Sequence, residues 1–195
     1  MCKFISFFHK PNLGDIDVAV WDMTSHGETE KALELNVKLW NEGHYTPDGK
    51  LELRGNNLPE NYNEHFLRRY PNFKSFLVWC LLQLTDANGS FNGSLDVRGC
   101  NLKGVKLPTT IGCSLDVRGC DLRGVKLPTT IGGSLYVRGC DLKGVKLPTT
   151  IGGWLDVSWC DLKGVKLPTT IGGSLYVSGC DLKGVKLPTT VDIIK

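Results

Sequence analysis

The sequence predicts an α+β chain in two parts: a small α-rich domain over residues 1–88, capping a right-handed parallel β-solenoid of five 20-residue coils over residues 89–195. Three observations lead there. Residues 93–190 repeat every 20 positions almost without change, and a unit of that length cannot bury its apolar side chains alone, so neighbours must stack into one core. Within each unit the apolar residues come in alternating pairs interrupted by Gly and Pro, which suits short strands and leaves no room for a helix. Ahead of the repeats the chain turns to stretches rich in helix formers.

Taken in order, residues 17–21 (DVAVW) alternate as a short strand, and residues 28–40 (ETEKALELNVKLW) read as a broadly apolar helix with Glu30, Lys31, Glu34 and Lys38 on its wet side. The run Thr46, Pro47, Asp48, Gly49 is a turn signal, because Pro presets φ and Gly accepts a positive one. A strand over residues 50–54 follows, then helices over 61–69 and 72–84 parted by Pro71. The second of these is apolar on nearly every face. It is expected to seal the first coil, since a solenoid end exposes both core and unpaired strand edges. Residues 85–92 (TDANGSFN) have the composition of a turn region. At the far end, residues 191–195 either fold over the last coil or leave an edge that pairs with a second copy of the chain.

In one unit, counted from Cys120, the apolar positions are Cys120, Leu122, Val125, Leu127, Ile131, Leu135 and Val137. The pairs Cys-x-Leu, Val-x-Leu and Leu-x-Val alternate with period two and face one core. Pro128 and the doublet Gly132, Gly133 mark corners, and each coil adds about 4.8 Å to the stack.

Leu115, Val117, Cys120, Leu122, Leu127 and Pro128 stand where the short, 20-residue bacterial leucine-rich repeat places its pattern, and residues 93–190 resemble that family. One departure is that Ile111 lies four residues before Leu115, where the family has a Leu three before. The units are also similar to pentapeptide repeats, with faces CDLRG, VKLPT, TIGGS and LYVRG; the third breaks that rule because Gly132 stands where the central Leu belongs. Either resemblance implies a right-handed parallel solenoid. Residues 1–88 resemble no family.

Composition excludes several classes. The longest apolar run, residues 76–82, is far below the ~20 residues of a membrane span, and residues 4–8 are too short for a signal-peptide core. Eight cysteines, five of them on the repeat period, fit a reduced, cytoplasmic setting better than a disulfide scaffold. Charge is uneven: residues 1–92 hold 9 Lys+Arg against 12 Asp+Glu, and residues 93–195 hold 14 against 8.

Because equivalent positions stack into columns, disagreement between copies shows where the surface has been individualised. It concentrates on the outward positions around Leu-x-Val: Ser94, Ser114, Ser134, Trp154, Ser174; then Asp96, Asp116, Tyr136, Asp156, Tyr176; then Arg98, Arg118, Arg138, Ser158, Ser178. Trp159 replaces a glycine otherwise kept at 99, 119, 139 and 179. In the leucine-rich resemblance this strand face is the concave recognition surface, and Tyr136, Trp154, Trp159 and Tyr176 would form one aromatic cluster there. Exposed aromatics beside arginine are typical of binding hot spots. The expected partner-binding set is therefore Tyr136, Trp154, Asp156, Trp159, Tyr176, Arg98, Arg118 and Arg138. The bland reading is a solvated surface whose charge pairs contribute only ~0–1 kcal/mol.

Two lysine-rich columns, Lys103, Arg123, Lys143, Lys163, Lys183 and Lys106, Lys126, Lys146, Lys166, Lys186, make a basic stripe suited to a polyanion or nucleic acid. The neighbouring column Asp121, Asp141, Asp161, Asp181 partly neutralises it, and no aromatic is interleaved for base stacking. The cysteine column, lacking His and pointing inward, reads as packing rather than metal. Adjacent Thr pairs such as Thr129 and Thr130 face opposite ways, unlike the Thr-x-Thr arrays of ice-binding surfaces. An enzyme reading rests on Cys2 as an N-terminal nucleophile with His26, His44 or His65 as partner, but no spacing ties them together, and no phosphate loop or zinc motif is present. The expectation is a non-enzymatic protein-binding module, acting as an inhibitor or effector, with no catalytic residue, cofactor, metal or membrane span.

Overall fold

The computed structural model describes residues 6–12, 15–19, 41–45, 50–54, 58 and 60–195. The chain divides into two compact units, Met1–Leu84 and Thr85–Lys195.

In the first unit β1 (Ser6–Asn12), β2 (Asp15–Ala19), β3 (Asn41–Tyr45) and β4 (Leu51–Arg54) form an antiparallel sheet in the order β2-β1-β3-β4. The strand expected over 17–21 is found as β2, starting two residues earlier, and that over 50–54 as β4. β1 and β3 are additions, so the described part is as much sheet as helix. The helix expected over residues 28–40 lies outside the described residues, as does the turn at 46–49. Helix α1 (Tyr62–Arg69) and helix α2 (Phe73–Leu84) stand where the apolar spacing puts them. Asn72 starts α2, its Oδ1 accepting from the Ser75 N–H at 2.9 Å. The core is aromatic. The ring centroids of Phe7 and Phe76 lie 4.5 Å apart, those of Phe7 and Phe66 5.4 Å, and Tyr70 meets Phe76 edge-on. α2 buries Phe76, Leu77, Cys80 and Leu81, while Val78 and Leu82 are exposed.

The second unit is a parallel β-solenoid of about five coils of ~20 residues. Each coil supplies one two-residue strand to each of two sheets. A five-stranded sheet holds the Thr-Ile strands β7 (Thr110–Ile111), β9 (Thr130–Ile131), β11 (Thr150–Ile151) and β13 (Thr170–Ile171), preceded by β5 (Ser90–Phe91). A six-stranded sheet holds β6 (Leu95–Asp96), β8 (Leu115–Asp116), β10 (Leu135–Tyr136), β12 (Leu155–Asp156) and β14 (Leu175–Tyr176), closed by β15 (Ile193–Ile194). Register is one repeat per coil, Leu115 beside Leu135 beside Leu155. The stack begins before the repeats do, with Phe91 buried in the isoleucine column beside Ile111. At the other end the tail pairs with the last coil: Leu175 N–H donates to Asp192 O at 2.8 Å and Ile193 takes the leucine place.

Leu115, Val117, Cys120, Leu122 and Ile131 are buried, as their counterparts in the other coils mostly are. On the third face Ile131 alone points inward. Two corners are tight turns: Cys120 N–H donates to Val117 O across Gly119, and Val125 N–H to Leu122 O across Gly124, with φ of 71° and 74° at the glycines. Such φ values suit glycine, which has no Cβ to clash. The doublet Gly132, Gly133 turns out to serve a different end. Neither has positive φ; a Cβ on Gly132 would collide with the carbonyl oxygen of Gly112 in the coil before, so these glycines permit close stacking.

Hydrogen bonds stitch neighbouring coils along both sheets, for example Leu135 N–H to Trp154 O and Gly152 N–H to Ile131 O, each 2.8 Å. None joins the Val-Lys-Leu-Pro segments of adjacent coils.

Candidate functional site

On the outward side of the six-stranded sheet the first two coils carry an Asp/Arg ladder. Arg98 grips Asp96 through Nε to Oδ1 at 2.9 Å and Nη2 to Oδ2 at 2.6 Å, and its Nε reaches Asp116 Oδ2 in the next coil at 3.4 Å. Arg118 repeats the grip on Asp116, and its guanidinium carbon stands 5.5 Å from the ring centroid of Tyr136. Hydrogen bonds donated to these carboxylates hold both guanidiniums above their ordinary range. Asp116 also accepts the Arg118 backbone N–H, so the carboxylate ties the corner as well as the cation.

In the third coil the ladder stops. Tyr136 replaces the aspartate, and the exposed Arg138 guanidinium has no ion pair among the described residues. In the fourth, Asp156 accepts the Ser158 N–H at 3.0 Å, and Trp154 and Trp159 are 49% and 62% exposed. The Trp154 ring meets Tyr176 of the fifth coil at 6.2 Å and 67° and leans over Gly173.

Trp159 sits at a corner, with Cys160 N–H donating to Val157 O at 3.1 Å across it, and takes φ of 62°. For a bulky L residue this left-handed conformation costs roughly 1–2 kcal/mol. Its indole covers Gly179 of the next coil. The four aromatics therefore do not form one cluster. Trp154 and Tyr176 pair at one end of the strand, Trp159 stands at the other, and Tyr136 stays with Arg118 one coil earlier. What they share is a face over coils three to five where paired arginines have given way to aromatics, Ser158 and Ser178.

A serine column runs along the rim of this face. Ser134 Oγ accepts the Trp154 N–H at 2.9 Å, as Ser114 Oγ accepts the Ser134 N–H at 2.9 Å. Trp154 has no hydroxyl to pass on, and the Ser174 N–H has no acceptor among the described residues.

The basic stripe is exposed. Lys106, Lys126, Lys146, Lys166 and Lys186 make no ion pair among the described residues. Arg123 does, gripping Asp121 at 2.7 Å, and that hydrogen bond with the Arg123 N–H lowers the Asp121 carboxyl to about 2. Asp141, Asp161 and Asp181 spend one oxygen each on the backbone N–H two residues on, at 2.9 Å. The acidic column is thus a set of turn caps first and a counter-charge second.

The inward thiols of Cys120, Cys140, Cys160 and Cys180 donate to Val97, Val117, Val137 and Val157 oxygens at 3.0–3.3 Å. Desolvation pushes Cys100 and Cys120 up to about 12 and Cys160 to about 11. Protonated thiols in this setting are weak donors in a packed core and not metal ligands, and among the described residues no group of three or more His, Cys, Asp or Glu could hold a metal. The first threonine of each pair is exposed, with its hydroxyl turned along the stack, as Thr129 Oγ1 donates to Thr109 O at 3.1 Å.

Of the residues considered for catalysis, Cys2 and His26 lie outside the described residues. His44 falls on β3, and His65 is half-buried on α1. Sequence reasoning missed His9, which is fully buried and shares a 3.1 Å hydrogen bond between its Nδ1 and Tyr62 Oη. No described helix is long and apolar enough to cross a membrane. Comparison with protein-family models, with curated proteins and with solved structures returns no match.

Proposed function

We propose that the solenoid is a non-enzymatic protein-binding module whose recognition face is the outward side of coils three to five on the six-stranded sheet. Trp154, Trp159 and Tyr176 are its apolar anchors, and Arg138, without an ion pair among the described residues, is its available cation. The observation that carries this reading is Trp159: a large ring, mostly in solvent, at a corner where Gly99, Gly119, Gly139 and Gly179 meet the same geometry without strain. A residue that costs backbone energy and fills no core supports selection for contact with something else. Tyr136 and Asp156 border the anchors, and Arg98 and Arg118 of the first two coils extend the face along the stack. Such a rigid ladder suits an inhibitor or effector that occupies a partner's surface. The single inward Ile on the third face supports the leucine-rich reading of the coil, and a thiol column that works only when reduced supports a reducing compartment such as the cytoplasm.

The test uses substitutions that return the odd coil to the pattern of its neighbours, so the fold has no reason to change. Immobilised wild-type protein, the double variant W154S/W159G and a distant control K106Q/K126Q are exposed to extract of the native host, and retained proteins are quantified. The reading expects a partner held by wild type and by the lysine control and lost by the double variant. Equal retention by all three contradicts it.

A further inference from the structure

We propose that the groove between the third and fourth coils, along residues 143–149 and 163–169, takes an extended acidic peptide segment of a protein partner. Its volume is about 550 Å³. It lies on the Val-Lys-Leu-Pro face, away from the aromatic residues, and does not depend on the function proposed for them.

The groove arises from how the coils are joined. Both sheets are stitched coil to coil, but no backbone hydrogen bond links residues 143–148 with residues 163–168. The apolar floor opens along the stack. Val105, Leu107 and Val125 are 6%, 6% and 8% exposed; Leu127 is already half-buried, and Val145, Leu147, Val165 and Leu167 are all half-buried. Half-buried aliphatic groups gain from a further apolar cover.

Charge and backbone chemistry specify that cover. Lys143, Lys146, Lys163 and Lys166 line the groove and none makes an ion pair among the described residues. The nearest acids, Asp141 and Asp161, are already engaged by the Lys143 and Lys163 N–H groups at 2.9 Å. Four ammonium groups on flexible stems around an apolar floor ask for an anionic ligand with aliphatic substituents. The backbone N–H groups of Lys146, Leu147, Lys166 and Leu167 have no backbone acceptor among the described residues. An extended peptide supplies carbonyl oxygens at about 3.3 Å per residue along such a row. Its side chains alternate, aliphatic ones to the floor and carboxylates to the lysine rim. A free fatty acid would satisfy floor and charge but leave the backbone groups without partners, so the peptide is the occupant these observations favour.

The experiment uses the full chain and a fluorescein-labelled hexapeptide, Glu-Leu-Glu-Leu-Glu-Leu, read by anisotropy. Saturable binding is expected, weakened about five- to tenfold in K146Q/K166Q and unchanged in W154S/W159G. K106Q/K126Q, which removes the same charge from coils whose floor valines, Val105 and Val125, are buried, is expected to bind as wild type does. Equal weakening by both lysine pairs would show a diffuse basic surface and overturn the groove. No saturable binding of the peptide at any salt concentration, equal binding of a Glu-Ser or Lys-Leu hexapeptide, or saturable binding of a labelled laurate with none of the peptide also overturns it.

Discussion

The indole of Trp159 lies over Gly179 of the next coil, so closely that a Cβ on that glycine would stand 2.7 Å from the ring. Both residues occupy the same corner of successive coils, with φ of 62° and 70°. Replacing Trp159 by Gly removes the left-handed strain and is expected to stabilise the protein by about 1 kcal/mol. Gly179→Ala is expected to destabilise it, and by less when Trp159 is already Gly, because only the φ cost then remains. Urea denaturation of the four proteins in this cycle measures both effects.

Close stacking and turn geometry make different demands on glycine, and two substitutions separate them. Gly144→Ala has open space around the new methyl and costs only the φ penalty, about 1 kcal/mol. Gly152→Ala drives a Cβ into the Gly132 carbonyl oxygen, where backbone must move. Its loss in thermal midpoint is expected to exceed that of Gly144→Ala several-fold, with the circular dichroism of the native sheet reduced.

Ser134 is 9% exposed and accepts the Trp154 N–H. Ser134→Ala leaves that donor unsatisfied and should cost about 1 kcal/mol. Trp154→Ser should act in the opposite sense, since its new hydroxyl restores an acceptor for the Ser174 N–H. Amide hydrogen exchange at residue 174, slowed in the serine variant, reads this directly.

The buried thiols make stability fall at alkaline pH. In the fold Cys100 and Cys120 keep their protons to about 12, while the ordinary value is 9.0. The unfolded chain therefore binds fewer protons between those limits, and stability is full below about pH 9 and declines toward pH 12. Denaturation under reducing conditions at pH 8 and pH 10.5 checks this, with a smaller difference expected for the double variant C100A/C120A. At pH 8 in the native protein, the exposed Cys113 should react with a thiol reagent well before Cys120 or Cys140.

Much of the solenoid is legible because its core obeys period two: Leu115 with Val117 and Cys120 with Leu122 point inward as alternation requires. Gly132 was harder to read, since a glycine that permits close approach and one that turns the chain look alike until neighbouring coils are in place. Phe91 carries no repeat signal beyond its spacing from Ile111, so the first half-coil hides in what reads as a linker. β3 (NEGHY) lacks apolar alternation and rests on pairing with β1 and β4. The separation of Trp154 from Trp159 was within reach, because five residues of near-extended chain span on the order of 15 Å. Arg138 losing its carboxylate when Asp becomes Tyr136 was equally visible. The opening of the lysine groove was not, because nearly identical VKLPT segments bury their valine in the first two coils and leave it half-buried in the later ones.

The central claim is that the odd residues of the fourth coil serve recognition at the expense of stability. The most direct measurement is the dissociation constant of a retained partner for wild type and for W159G, with unfolding free energy taken on the same samples. The account predicts affinity at least about tenfold weaker in a variant that is more stable, as removal of a hot-spot ring would give. Equal affinity in the stabilised variant would contradict it.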